Sequence, residues 1–323
     1  MPWAQICWPS RSGMSQTDSV AGPECDPPAT TSQRIWPNGA RFTRRFEREC
    51  PALSSPDPTF PARLIGSPHW RRQCRRDWCS LTHHYYADGP AGAPHVSLPK
   101  LLQSSRQLPP LLERLAQYGR RYRLPYRIVE TNSIYDEGQP GVSDTLGAAL
   151  WGLECMFQAA AAGAAGINFH GGVHNRRASD DKAYTPIARS GDRYRATPLY
   201  YSILMFAQAR GALVPAHLAP GTSGLKAFAV RAPEGTIRVC LINQNITRDE
   251  RVAIDLGGKF TAASMLRLAG PAIDATAGVT LGGASVDELG RWAPPMNEEV
   301  RLTGHEFIVD VPAASATLVS LRG

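Results

Sequence analysis

The sequence predicts two architectures in one chain, α/β over residues 62–214 and all-β over 215–323, behind an irregular leader, 1–61. Three observations predict this. Between residues 62 and 214, apolar runs of strand length alternate with apolar stripes of helical period. After Pro215 the alternation becomes period two, punctuated by Gly, Pro and Asn. Before residue 62 neither period is sustained.

The leader holds ten prolines, three tryptophans and no lysine. Such a stretch buries too little apolar surface to offset its ordering entropy and is expected to be poorly ordered. A displaced start or a frame error in the gene would give the same composition. Residues 62–66 then read as a short strand and 79–87 as a second. Leu98, Leu101, Leu102, Leu108, Leu111, Leu112, Leu115 and Tyr118 form a helical stripe, interrupted at Pro109-Pro110. Residues 126–131 are a strand. A helix of about 20 residues follows, with Ser143 as N-cap and Gly163 as its stop. Residues 165–170 are the next strand, and 196–210 the next helix.

Repeated βα units imply a parallel sheet with right-handed crossovers. Three or four are present, too few to close an eight-stranded barrel, so this part is expected to be an incomplete one. Beyond it, the strand candidates 225–231, 236–243, 252–256, 263–268, 306–311 and 316–322 have the spacing of an antiparallel β-sandwich. They carry no catalytic constellation and read as a structural flank.

Composition excludes several function classes. The net charge is +7, but Arg outnumbers Lys 31 to 4 and is spread along the chain rather than gathered on one face. The aromatic interleaving of a nucleic-acid platform is missing, so no nucleic-acid partner is expected. Seven cysteines, five of them before residue 80, make no disulfide framework. Cys155 and Cys240 read as small buried hydrophobes. Cys74 and Cys79, followed by His83 and His84, brush against zinc-ligand spacing, but adjacent residues of a strand point to opposite faces. No metal is expected. No apolar run nears the roughly 18 residues of a membrane span, and no signal-peptide pattern is visible. Gly-x-Ser-x-Gly, a phosphate loop and His-Glu-x-x-His are all missing, so no cofactor is implied.

The informative segment is Tyr126–Ser133, Tyr-Arg-Ile-Val-Glu-Thr-Asn-Ser, an apolar strand that ends on a carboxylate. It runs into a Gly/Pro loop and then a helix opening Val-Ser-Asp-Thr-Leu-Gly-Ala-Ala-Leu-Trp-Gly. A Glu at the carboxyl end of a parallel strand is where a β/α barrel places a catalytic acid. These motifs, with Ala-Gly-Ile-Asn-Phe-His-Gly at 165–171, resemble the β-glucuronidase and heparanase family of retaining glycosidases, glycoside hydrolase family 79. The likeness covers residues 78–323. It implies a (β/α)8 TIM-type barrel followed by that family's C-terminal β-domain, to which Thr280–Ser285 and Pro312–Val319 are similar. The substrate it implies is a β-glucuronide or another glycan containing uronic acid.

Retaining hydrolysis needs an ionised nucleophile and a proton donor about 5–5.5 Å apart. Glu130 matches the family's nucleophile. The donor usually follows an Asn in Gly-Asn-Glu-Pro-Asp, and here Gly22-Pro23-Glu24-Cys25-Asp26 keeps only Gly, Glu and Asp. Glu24 is the candidate donor. His83 and Tyr85, two apart and so on one strand face, fall in a His-His-Tyr-Tyr segment similar to heparanase, where a tyrosine hydrogen-bonds the nucleophile. Tyr135 and Tyr184 match tyrosines beside the substrate carboxylate, and His170 could line the pocket. Asp136 and Glu137 replace family glycines, and two carboxylates there would repel a uronate unless they point away. With an incomplete barrel and a degraded donor motif, little turnover is expected of this chain. The alternatives are a non-catalytic carbohydrate-binding remnant and a gene fragment without function.

Overall fold

The computed structural model describes residues 4–7, 71–75, 78–103, 106–172, 182–190, 192–219, 224–255, 260–294, 299–301 and 306–323. β1 is Ala4–Cys7, the one described part of the leader. The expected strand at 62–66 lies outside the described residues. A four-stranded sheet then runs β2 (Arg71–Arg75), β3 (Trp78–Asp88), β4 (Tyr126–Ile134) and β5 (Ile167–Phe169). β3, β4 and β5 are parallel, and β2 is antiparallel to β3.

Helices make the crossovers. Between β3 and β4 lie α1 (Leu98–Gln103) and α2 (Leu108–Tyr122). Pro109 and Pro110 do not end the first helix but open the second. Proline is favoured in a first turn, where its missing N–H has no intrahelical partner to lose. α3 (Leu146–Ala161) joins β4 to β5. Its N-cap is Thr145, whose Oγ1 accepts from Ala148 N at 3.2 Å; the expected cap, Ser143, is spent on the preceding turn, accepting from Gln139 N at 2.9 Å. Tyr85, Leu112, Leu115, Ile128, Trp151 and Cys155 form an apolar cluster between helices and sheet.

One irregularity in β4 decides where its side chains point. His83 pairs with Ile128 but His84 pairs with Glu130, so β4 advances two residues while β3 advances one. The other edge agrees: Ile128 pairs with Ile167 and Thr131 with Phe169, three steps against two. β4 therefore carries one extra residue, a β-bulge at Val129–Glu130. Tyr126 and Ile128 face the helical layer, and strict alternation would send Glu130 there too. The bulge turns it to the opposite face.

Past a two-stranded ribbon, β6 (Ile187–Ser190) and β7 (Arg193–Ala196), comes α4 (Pro198–Gln208). The rest is antiparallel, apart from one parallel pairing made by β1. A seven-stranded sheet holds β8 (Ala212–Val214), β10 (Leu225–Arg231), β11 (Ile237–Asn243), β13 (Ala262–Ala269), β14 (Thr280–Leu281), β15 (Glu299–Arg301) and β17 (Ser315–Arg322). A four-stranded sheet holds β16 (Glu306–Val311), β12 (Glu250–Asp255), β1 and β9 (His217–Leu218), in that order. β1 corrects the expectation of an irregular leader at Ala4–Cys7: its backbone pairs parallel to β12 and antiparallel to β9.

Period two is visible in the packing. Val239, Leu241, Val319 and Leu321 point from the seven-stranded sheet towards Val252, Ile254, Val309 and Val311 of the four-stranded one. Their neighbours Cys240, Ile242, Ala316 and Leu318 point the other way, onto Leu150, Leu153 and Phe157 of α3 and Met205 of α4. The β/α part and the antiparallel part thus share one apolar cluster. Cys155 and Cys240 are buried free thiols, as expected.

Candidate active site

Glu130 is the middle residue of β4, which runs three residues past its expected end, and stands at the centre of the three parallel strands, its side chain 33% exposed. Tyr86 on β3 donates its hydroxyl to Glu130 Oε1 at 2.9 Å. The same hydroxyl stands 2.7 Å from Nδ1 of His170, just beyond β5. Tyr184 brings a second hydroxyl to that nitrogen at 3.0 Å, and Lys182 Nζ lies 3.2 Å from Nε2 on the far side of the ring. His84 Nδ1 and His170 Nδ1 stand 3.6 and 3.8 Å from Glu130 Oε1. Asn132 binds the strands together: its amide donates to the carbonyls of His170 (2.7 Å) and Tyr184 (3.1 Å).

Aromatic rings surround the carboxylate. Tyr135 meets Tyr86 edge-on at 6.3 Å, and Tyr184 lies tilted at 6.3 Å from Tyr86 and 5.7 Å from His170. Two glycines make room. A Cβ on Gly89, at φ +141°, would collide with the Tyr135 ring, and one on Gly138, at φ +81°, would meet Tyr184 at 2.8 Å. Burial pushes the Tyr86 hydroxyl well above its ordinary pKa, and its bond to Glu130 and the charge of Tyr184 add to this. Tyr184 is raised by burial and by the charges of Glu137 and Glu130, against its contact with Tyr86. Both therefore stay protonated, as donors, across the working range of a protein.

Two expected residues face the other way. Tyr85 is buried in the apolar cluster, and its hydroxyl has no partner among the described residues. The hydroxyl on Glu130 belongs to Tyr86. His83 shares Tyr85's face, as expected, but its Nδ1 contacts the carbonyl of His84. Burial lowers its pKa, and the charges of His84 and of Arg114 on α2 add to this against that backbone bond. The reason is strand parity: Leu81, Tyr85 and Ala87 make the apolar face of β3, which leaves His84 and Tyr86 for Glu130. That signal was in the sequence. Lys182 and Asn132 gave none, because one sits in a loop and the other works on backbone groups.

His170, Tyr184 and Tyr135 do gather around Tyr86 and Glu130. Glu24 lies outside the described residues. Asp136 and Glu137, at φ +70° and +71°, adopt the left-handed backbone that favours glycine. Glu137 is 67% exposed and stands 3.7 Å from Lys182. A cavity of about 360 Å³ opens at the amino-terminal end of β4, lined by Gly119, Arg120, Arg123 and Tyr126. No carboxylate lines it.

No family model matches the chain. It is 28% identical over 204 residues to a β-glucuronidase of Neurospora crassa, covering 57% of this chain and 35% of that protein. It is 26% identical over 332 residues to a β-glucuronidase of Aspergillus niger, covering 87% of this chain and 60% of that one. The chain thus spans between about a third and three-fifths of the length of these relatives. Among solved structures it is similar to a 4-O-α-L-rhamnosyl-β-D-glucuronidase of Fusarium oxysporum, with a TM-score of 0.63 and 22% identity over 75% of this chain and 53% of that one. A GH51 arabinofuranosidase of Xanthomonas axonopodis aligns with a TM-score of 0.54 and 18% identity over 75% of this chain and 52% of the other. The fold is that of glycoside hydrolases, and the described residues form no closed barrel.

Proposed function

We propose that this chain carries the nucleophile of a retaining glycosidase of the β-glucuronidase type. In this reading β3, β4 and β5 are the last strands of a (β/α)8 barrel, residues 62–214 belong to it, and residues 215–323 make an antiparallel β-sandwich docked on α3 and α4. The observation that carries the reading is convergence: a bulge aims Glu130 into an aromatic cup where the Tyr86 hydroxyl donates to it at 2.9 Å. A carboxylate held there can attack an anomeric carbon, expel the aglycone and form a glycosyl ester that water later hydrolyses. Family 79 membership, a glucuronide substrate and Glu24 as proton donor belong to the same proposal.

The test separates the nucleophile from the donor. A 2-deoxy-2-fluoro-glucuronide with a good leaving group needs little protonation, so it should label the full chain slowly even where natural turnover is weak. Peptide mapping should find the sugar on Glu130, and Glu130→Gln should stay unlabelled. Label elsewhere would sink the assignment. With a poor leaving group, Glu24→Gln should cost about 10²–10⁴ in whatever rate the wild type shows. An unchanged rate removes Glu24 from the mechanism.

A further inference from the structure

We infer that Lys182 is a positioning residue: it selects the tautomer of His170 and so directs the Tyr86 proton onto Glu130. The role rests on the glycosidase reading, but the contacts do not. Lys182 sits in the loop after β5, its side chain 12% exposed, with Nζ 3.2 Å from His170 Nε2 and 3.7 Å from Glu137 Oε1. An ammonium has donors and no acceptor. The ring nitrogen that faces it must therefore present a lone pair, which puts the imidazole proton on Nδ1.

The consequence lies at the other end of the ring. Nδ1 stands 2.7 Å from Tyr86 Oη, 3.0 Å from Tyr184 Oη and 3.8 Å from Glu130 Oε1. Tyr86 has one proton and three neighbours that could take it, Glu130 at 2.9 Å, Nδ1 at 2.7 Å and the Tyr184 hydroxyl. With Nδ1 bare, the ring competes for that proton at the shorter distance. With Nδ1 protonated, the ring donates to the Tyr86 oxygen, and the charged carboxylate outcompetes the Tyr184 oxygen for the hydroxyl proton. A chain of donors then runs from Lys182 through His170 and Tyr86 to Glu130. Tyr184 keeps its own proton for a ligand, because Nδ1–H no longer accepts it. Glu137 holds the ammonium from the solvent side, which gives one of the two carboxylates of the 136–138 turn a partner other than the substrate.

Nitrogen-15 spectra of the uniformly labelled full chain at pH 7 read the tautomer without any turnover, so the inference can fail while Glu130 still labels, and the reverse. Loss of a signal set in His170→Gln assigns the ring. Wild type should show a protonated Nδ1 and a bare Nε2. Lys182→Met should lose that state, either to the Nε2–H tautomer or to the doubly protonated ring. Lys182→Arg, which keeps a donor, should retain it. The indole signal of Trp151, buried 2% exposed against α3's own layer, reports whether each variant is folded. An Nε2–H or doubly protonated ring in the wild type overturns the inference. So does an unchanged tautomer in folded Lys182→Met, or loss of Nδ1–H in Lys182→Arg, the variant that decides the matter if Lys182→Met does not fold.

Discussion

The strands around Glu130 and the antiparallel strands beyond residue 212 are built on opposite rules. Beyond residue 212, β10, β11, β13 and β17 keep strict alternation, and each face of their sheet meets its own apolar layer. In β3 and β4 the pattern breaks at the bulge. Three hydroxyls there, Tyr85 Oη, Thr131 Oγ1 and Ser133 Oγ, are buried with no partner among the described residues, and two non-glycine residues follow in left-handed backbone. Regular packing supplies the stability that irregular, polar geometry at a site consumes. The difference leaves Glu130 outside the packed layers, where the proposed chemistry needs it.

The comparison can be broken first at the shared layer. Phe157 on α3 is 1% exposed, stacks on Phe228 at 4.9 Å and meets Phe206 edge-on at 4.9 Å. Phe157→Ala should cost about 3–5 kcal/mol by denaturant unfolding and should loosen both parts together. If the β/α part melts unchanged, the two do not share a core.

Next comes the parity of β3. Tyr86→Phe removes a hydrogen bond to a charged group, worth about 1.5–3 kcal/mol, and should slow labelling of Glu130 by roughly 10- to 100-fold. Tyr85→Phe should leave labelling untouched and change stability by at most about 1 kcal/mol, favourably, because it removes a buried hydroxyl without a partner. Reversed outcomes would restore Tyr85 to the site.

The joint between the two parts has one buried carboxylate. Glu154, 1% exposed, accepts from Gln244 Nε2 and Gln158 Nε2, each at 2.8 Å, with Lys226 at 3.7 Å. Glu154→Ala strands Gln244 and should lower stability by about 1–3 kcal/mol. A smaller loss in the double variant with Gln244→Leu would locate that cost in the stranded amide.

Smaller effects sharpen the picture at the site's rim. Asp136→Gly relieves a left-handed residue that is exposed, and should raise the unfolding midpoint by an amount worth about 0.5–1 kcal/mol. Asp88 is the last. Burial raises its carboxyl pKa, but Lys100 Nζ at 2.8 Å and the Gly89 N–H outweigh this and hold it below the ordinary carboxylate range. A depressed folded value gives stability that is present above that range and lost as pH falls through the folded value. Asp88→Asn should therefore melt up to about 1 kcal/mol lower at pH 7, with the gap closing as pH drops below ~4.

Much of this molecule was legible in its residues. Leu225–Arg231 and Glu306–Val311 are strands at the bounds their alternation predicts, and Glu130, Tyr135, His170 and Tyr184 all meet at one point of the parallel sheet. Alternation and helical period are local properties, set by which side chains can share a buried face, so the chain states them residue by residue. What tertiary structure alone decided is direction. One extra residue in β4 turns Glu130 to the opposite face, and it is visible only against the register of β3 and β5. Lys182 stands beside His170, twelve positions away in the chain, and no period links the two. Pairing β1 with β12 and β9 joins residues more than 200 positions apart, through backbone groups that carry no sequence signature of their own.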